Sequence, residues 1–559
     1  MTDSLQHHMQ RFQAQDALFA PQPKRLALQG LDVKPLKSRV TASVNVWRNH
    51  AFESVAALME PYLAFGDVQL ECSLSDYDDA LLFSEVPQAD VELLWLDSSR
   101  YLARLDFDDW LKWLDERLRT LRIRSQAPIV LATWGRSAAE TQALHKLVGQ
   151  LTAVHFADLA AECALFDVKL LDLRAASMSG TPLAGVAQSV LARALVGHWL
   201  AGVTLPPVKA LALDLDHTLY AGVLGEDGVD GVVLTEGHRQ LQQFARELGA
   251  RGVFLALVSR NELVDVEKLF AVREDFPLRW DDFSVQEISW GSKADAIARV
   301  AQALRIAPDA VLFVDDNPGE LASVAMALPQ ALTLFASADA NHTQLAINYF
   351  PGLWRWKIEA DDAKRVQDLK ANAEREALMA EEMDPADYFR SLQVSLVYRY
   401  DPHDQLTRLA DLCNKTNQFN LAMRRLNQLE VADRLQRQDA CVVSVQMKDR
   451  LSDSGVIAVI VASKQGRRLQ IEELCISCRA MGRRLEDAIV IDAIRHMPQF
   501  AECDEVAFDV VHGPRNQPAL TWLSSWLLLK SDVGAGVHVC SAERLRQFAG
   551  VEGVCIVRD

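Results

Sequence analysis

Apolar runs and amphipathic stretches alternate along the first 200 residues of this chain. VELLWLD (91–97) and PIVLATW (128–134) are short and almost wholly apolar, and RLALQGL (25–31) is another short apolar stretch. DFDDWLKWLDERLRTLRI (106–123) repeats its apolar positions at helical spacing. Strands separated by amphipathic helices predict a parallel α/β sheet. A longer amphipathic helix, GVAQSVLARALVGHWLAGV (185–203), runs into Pro206 and Pro207, which mark a boundary. The runs VKALALDLD (208–216), GVFLALVSR (252–260) and AVLFVDD (310–316) stay apolar until their last residues. Strands of that kind are buried on both faces, as in a doubly wound sheet.

The pattern changes again after PGLW (351–354). Residues 358–385 are charged and read as a helical connector. Strands then follow in series at VSLVYRY, ACVVSVQMKD, GVIAVIVAS, LQIEELCIS and EVAFDVV. One strong helix, RRLEDAIVIDAIRHM, sits between the last two, so this part reads as α+β. The expected organisation is an α/β domain over 1–204, a doubly wound parallel sheet over 205–355, a connector over 356–385 and an α+β domain over 386–559.

Composition narrows the partners more than the fold. A chain of 559 residues has room for three or four domains, and 50% apolar with 24% charged residues is ordinary for a globular protein. The net charge of -18 argues against nucleic acid as a partner; the pairs Arg424-Arg425 and Arg483-Arg484 read as solvated helix faces. Nine cysteines without disulfide-like spacing point to a reducing, cytoplasmic setting. Cys475 and Cys478 form a CxxC with no second pair at zinc-site spacing and read as buried cysteines. No apolar run is expected to span a bilayer, and the N-terminus lacks the apolar core of a signal peptide.

The chemistry concentrates in LALDLDHTLYAG (211–222). Asp214 and Asp216 are two residues apart at the end of an apolar strand, so they point to the same side, at the carboxyl edge where ligands of parallel sheets bind. Two carboxylates this close call for a hard cation such as Mg²⁺. Ser259 ends the second apolar strand, Lys293 opens a helix, and Asp315 and Asp316 end the third strand. A hydroxyl and an ammonium suit phosphate oxygens, and the further carboxylates suit the same cation. Only a short stretch separates Asp216 from Ser259, so AGVLGEDGVDG (221–231) has room for no more than a small flap.

This order, DxDxT, then Ser, Lys and DD, resembles the haloacid dehalogenase superfamily. The resemblance implies that Asp214 is a nucleophile forming an aspartyl-phosphate and Asp216 the general acid and base. It places Thr218, Ser259, Arg260, Asn261 and Lys293 at the phosphate, and Asp214, Asp216, Asp315 and Asp316 at the metal. The fuller strings LDLDHTLYAGVLGEDG, FVDDNPGE, NKTNQFNL and SCRAMGRRLE resemble the FkbH-like proteins of polyketide biosynthesis, subfamily IIIC of that superfamily, from about residue 205 to 525. That resemblance implies transfer of a glyceryl group from 1,3-bisphosphoglycerate, a phosphorylated three-carbon acyl donor, to the phosphopantetheine thiol of an acyl carrier protein. Some such proteins carry Cys between the motif aspartates, where this chain has Leu215; Cys413 and Cys478 lie in matched segments. His217 and Tyr220 stand where Asn and Trp are commoner.

The last domain resembles the GNAT acyltransferase fold, with Arg479-x-x-Gly482 similar to its pyrophosphate turn. Asn417, Arg479, Gly482 and Arg483 are the candidates for the carrier or its arm, and the polar run from Asn414 to Asn420 is expected to line it. Arg484 stands where Gly or Ala is common. The first domain resembles an SGNH hydrolase fold without its nucleophile; SVNVWRNH (43–50) occupies that place. The expected activity is glyceryl transfer with dephosphorylation. The alternatives are a small-metabolite phosphatase and a non-catalytic carrier-docking module.

Overall fold

The computed structural model describes residues 2–36, 40–174, 180–357, 360–380, 384–529 and 533–559. The chain divides into two compact units, one up to residue 358 and one from residue 359.

The first unit contains two five-stranded sheets. β1 (Val40–Arg48), β2 (Val68–Tyr77), β3 (Val91–Trp95), β4 (Ile129–Thr133) and β5 (Val154–Asp158) form one, in the order β2-β1-β3-β4-β5. β6 (Ala210–Leu213), β7 (Phe254–Ser259), β8 (Val285–Ile288), β9 (Val311–Asp315) and β10 (Leu332–Phe335) form the other, in the order β10-β9-β6-β7-β8. Every pairing in both is parallel. β3, β4, β6, β7 and β9 are buried at every position, which is why they read as unbroken apolar runs. One apolar core runs through both sheets, from Val44 and Trp95 to Leu213 and Val314.

Two expectations fail here. RLALQ (25–29) is a helix rather than a strand, with Leu28 packed into the core. Five residues are too few for periodicity to separate the two states. The helix Gly185–Thr204 is long and apolar enough to cross a membrane by length and composition, yet it is mostly buried as a core helix of this unit. It takes a π turn at Leu195–Trp199, where His198 stacks between Tyr349 and Trp354.

The second unit is a seven-stranded mixed sheet of β11 (Ser395–Tyr400), β12 (Ala440–Lys448), β13 (Asp453–Gln465), β14 (Arg468–Ile476), β15 (Glu505–Val510), β16 (Gly536–Ser541) and β17 (Cys555–Arg558). Their order is β16-β15-β14-β13-β12-β11-β17, with antiparallel pairs except β14/β15 and β11/β17. The expected class, two parallel α/β sheets followed by an α+β part, stands.

The connector is a helix over Ala360–Ala380; residues 358, 359 and 381–383 of the expected stretch lie outside the described residues. Its charge is not all solvated. Asp368 and Arg375 are buried with Asp449 and Arg483 in an ion-pair network against the sheet. Burial alone would raise the Asp368 pKa, but Arg483, Ser452 and Arg375 together hold it below the ordinary carboxylate value.

Candidate active site

The second parallel sheet changes direction at β6. The chain runs β6, β7, β8 to one side and then crosses to β9 and β10 on the other. Ligands in open parallel sheets bind at the carboxyl end of such a switch point. Asp214 follows β6, its backbone N–H donating to the Val314 carbonyl at 3.0 Å, and Asp315 ends the neighbouring β9.

Carboxylate oxygens of Asp214, Asp315 and Asp316 lie within 4.8 Å of one another, the one group with metal-ligand spacing among the described residues. Lys293 reaches them from the first residue of the helix Lys293–Ala303. Its Nζ lies 2.5 Å from Asp315 Oδ2 and 3.0 Å from Asp214 Oδ1, and all three side chains are buried. Burial works against the charge on Lys293, but Asp214 and Asp315 outweigh it and hold its pKa up. Burial also pushes the Asp214 carboxyl up; Lys293 opposes the shift and Asp315 adds to it. Asp316 is raised by burial and then by Asp315. Three carboxylates against one ammonium leave an excess of negative charge, and hard oxygen donors are the set that Mg²⁺ takes. The residues present therefore fit that ion. Thr218 adds a buried hydroxyl without a hydrogen-bond partner beside them in sequence.

Asp216 does not join the cluster, contrary to its expected place at the metal. Its Oδ1 accepts from Tyr220 Oη at 2.7 Å and from the Leu224 N–H at 2.9 Å. Its Oδ2 accepts from Asn261 Nδ2 at 2.9 Å. Burial first and the Asp216 charge second raise the Tyr220 phenol, so it remains a donor. The intervening His217 has φ 52°. Asn and His are both enriched in that left-handed region, which accounts for either residue at this turn.

Ser259 is buried at the end of β7, and its Oγ accepts from the same Asn261 amide at 3.1 Å. Arg260, expected beside the phosphate, instead pairs with Glu320 at 2.7 Å. Residue 260 follows a strand end, where successive side chains point in opposite directions. The Leu224 N–H that donates to Asp216 opens a short helix, Leu224–Gly231, kinked at Gly228, with the Ala221–Val233 bridge at its base. This is the small flap the sequence allowed. Leu215 is fully buried between the motif aspartates. The hydroxyl of Tyr220 is the site feature that sequence reasoning missed: the residue stood out only for replacing Trp, and nothing in the string reveals its reach to Asp216.

The candidates in the second unit fare differently. SCRAMGRRLE does run strand, turn, helix, from β14 through a turn at Gly482 (φ 75°) to a helix over 486–495. Arg479 and Arg483, however, are buried, Arg479 donating to the Ser454 carbonyl and Arg483 paired with Asp368 and Asp449. The Gly482 N–H faces Glu486 Oε1 at 3.3 Å, so a carboxylate sits where a phosphate was expected. Asn417 Oδ1 accepts from Arg425 at 2.6 Å, Asn414 ties the Ala410 and Leu426 carbonyls, and Asn420 is buried. That polar run holds its own loop together rather than lining a channel. Cys413 and Cys475 are buried and Cys478 is half-buried; all nine cysteines are free.

No protein-family model and no curated protein matches this chain. Among solved structures, it is similar to the N-terminal part of BF1531 from Bacteroides fragilis, containing a phosphatase domain complexed with Mg. That match has 18% identity and a TM-score of 0.47, covering 62% of this chain and 99% of the other. It is also similar to a spermidine N-acetyltransferase from Vibrio cholerae at 9% identity and TM-score 0.21, covering 28% of this chain and 97% of that one. A third likeness is to the GCN5-related glucosamine N-acetyltransferase region of a fungal multi-domain β-N-acetylglucosaminidase. It has 12% identity and a TM-score of 0.16, over 91% of this chain and 65% of that one.

Proposed function

We propose that this protein is a magnesium-dependent phosphoryl-handling enzyme of the haloacid dehalogenase type, and that it transfers a glyceryl group from 1,3-bisphosphoglycerate to the thiol of an acyl carrier protein. The arrangement that carries the phosphoryl half is the set of buried Asp214, Asp315 and Lys293 with half-buried Asp316 at the switch point of the second sheet.

In this reading an Asp214 oxygen attacks the phosphorus of the C3 phosphomonoester, and the bond from phosphorus to the glyceryl oxygen breaks. Asp216 protonates the departing oxygen and then takes a proton from the water that hydrolyses the aspartyl-phosphate. Lys293, Thr218 and Ser259 face the transferred phosphoryl oxygens. Bound Mg²⁺ would add charge neutralisation at those oxygens, held by Asp214, Asp315 and Asp316. At C1, the carrier thiolate attacks the acyl-phosphate carbonyl and expels inorganic phosphate, giving the thioester. The small flap over 221–231 supports a bulky, protein-borne acceptor, and nine free cysteines suit a reducing cytoplasm.

Leu215 favours a second reading. With a buried leucine between the aspartates, no thiol stands there to hold an acyl group, and a phosphatase acting on a small phosphorylated metabolite needs none.

Intact-mass spectrometry of a phosphopantetheinylated carrier, incubated with the enzyme, Mg²⁺ and 1,3-bisphosphoglycerate, separates the two. A glyceryl increment that disappears with Asp214→Asn supports transfer. Phosphate release without any increment moves the assignment to the phosphatase.

A further inference from the structure

Among the described residues, Trp290 is the one tryptophan that stands exposed, at 68%. It lies between β8 and the helix Lys293–Ala303, and the chain on either side of it leads to the phosphoryl site. Ser289, the residue before it, donates its backbone N–H to the Ser259 carbonyl at 3.1 Å. Lys293 follows three residues later, so the Cα atoms of Trp290 and Lys293 lie within about 11 Å.

The indole is exposed but fixed. Its Nε1–H donates to Glu262 Oε1 at 2.8 Å. Glu262 occupies the capping position of the helix Leu263–Val272, yet its carboxylate makes no capping hydrogen bond and holds the indole instead. Beside Glu262 stands Asn261, whose amide donates to both Asp216 Oδ2 and Ser259 Oγ. Trp290 is therefore tied to the site twice, by its backbone through Ser289 and by its side chain through the neighbour of Asn261. Leu263 and Val264, next along the chain from Glu262, are exposed as well, at 46% and 72%. Single apolar side chains are ordinary on a surface. Three at the rim of one site, one of them an anchored indole, mark a place of contact.

The chemistry gives that contact a direction. With Asp216 protonating the departing oxygen, the leaving group emerges beside Asp216 and Asn261. We propose that Trp290 is a specificity residue whose indole face takes the body of the leaving group. The substrate class is then phosphate monoesters in which the group left behind carries an apolar or planar body. This rests on the phosphoryl half of the proposed function. Two sources share the chemistry, a free ester of an apolar alcohol and a phosphoglyceryl group already joined to an apolar thiol.

Steady-state phosphate release by the full-length protein with Mg²⁺ tests this with two matched pairs of probes. One pair is ethyl and hexyl phosphate; the other is the S-methyl and S-hexyl thioesters of 3-phosphoglyceric acid. In at least one pair the hexyl member should show about tenfold higher kcat/KM, carried by KM. Which pair shows it names the source. That ratio should fall to near one in Trp290→Ala, be largely kept in Trp290→Phe and lie between the two in Glu262→Ala. A ratio near one in the native protein, or Trp290→Ala slowing both members of a pair alike, overturns the inference and leaves the phosphoryl reading standing. No phosphate release from any probe overturns both.

Discussion

The two parallel sheets of the first unit share an architecture and differ in what stands at their carboxyl ends. Each has five strands, each is parallel throughout, and each has a switch point, between β1 and β3 in the first and between β6 and β9 in the second. After β6 and β9 come Asp214, Asp315 and Asp316, with Lys293 among them. After β1 and β3 come Asn49, His50, Asp97 and Ser98, all buried. Asn49 exchanges hydrogen bonds with the Asp97 backbone, Ser98 Oγ donates to the Trp134 carbonyl, and His50 pairs with Thr181 and stacks on Trp95. The second switch point gathers three carboxylates around one ammonium, an excess of negative charge that a bound cation would balance. The first spends most of its polar groups on holding its own loops. A similar parallel architecture with a different strand order holds a like-charged cluster in one place and satisfied loop contacts in the other, because function belongs to the side chains and not to the sheet.

The strongest way to break this contrast is a matched pair of substitutions. Asp214→Asn should lower phosphate release by on the order of 10⁴-fold, as loss of a nucleophile does. Asn49→Ala should leave kcat within about twofold while costing ~1–3 kcal/mol of stability for each backbone group left unpaired. Steady-state rates and urea unfolding read the two effects; a collapse of kcat in Asn49→Ala would make both ends catalytic.

Next in size is Lys293→Met. It leaves buried carboxylates uncompensated, which costs about 3–5 kcal/mol. With the same carboxylates proposed as the Mg²⁺ ligands, the ion should restore more stability to this variant than to the native protein, as read by thermal unfolding with and without it.

The first sheet and its neighbouring helix carry their own titration. His50 and His198 are buried, and burial first holds each pKa down to about 3. The unfolded chain takes up these protons near pH 6.5 and the folded one does not. Their stability contribution is therefore complete above pH 6.5 and is lost as pH falls, at up to about 1.4 kcal/mol per unit per histidine. Glu162, raised by burial, works in the opposite sense from pH 4.5 upward. Denaturant midpoints from about pH 7 to about pH 5 measure the slope, and His50→Gln should flatten it by the share of one group.

The smallest expected effect is at Tyr220. Tyr220→Phe removes one hydrogen bond to Asp216, and kcat should fall about five- to tenfold with KM unchanged. A substrate whose leaving group needs no protonation should lose less. An equal loss for both substrates would assign Tyr220 to packing alone.

Much of this was legible in the sequence for a plain reason. Strands buried on both faces leave unbroken apolar runs, and β3, β4, β6, β7 and β9 were each readable as such. β16 and β17 were not, because they lie at the two edges of their sheet and are largely exposed, which removes the pattern. Strand-end positions for Asp214 and Asp315 and a helix-start position for Lys293 placed the three together. It could not reveal side-chain direction, so Arg260 and Asp216 were assigned partners they do not have. Arg479 and Arg483 show the same limit more sharply: the spacing of the turn was right, but both side chains enter the protein.

The buried network of the Ala360–Ala380 helix bears on where this chain can be cut. Asp368 and Arg375 supply two of the four charges around Arg483 and Asp449. A fragment beginning at the first strand of the second unit would leave Arg483 and Asp449 with only their 3.3 Å contact to each other, stripped of the closer pairings with Asp368 and Arg375. Any gene encoding that unit alone must start ahead of Ala360, and a fusion that treats the charged helix as spare tether would be expected to yield insoluble protein.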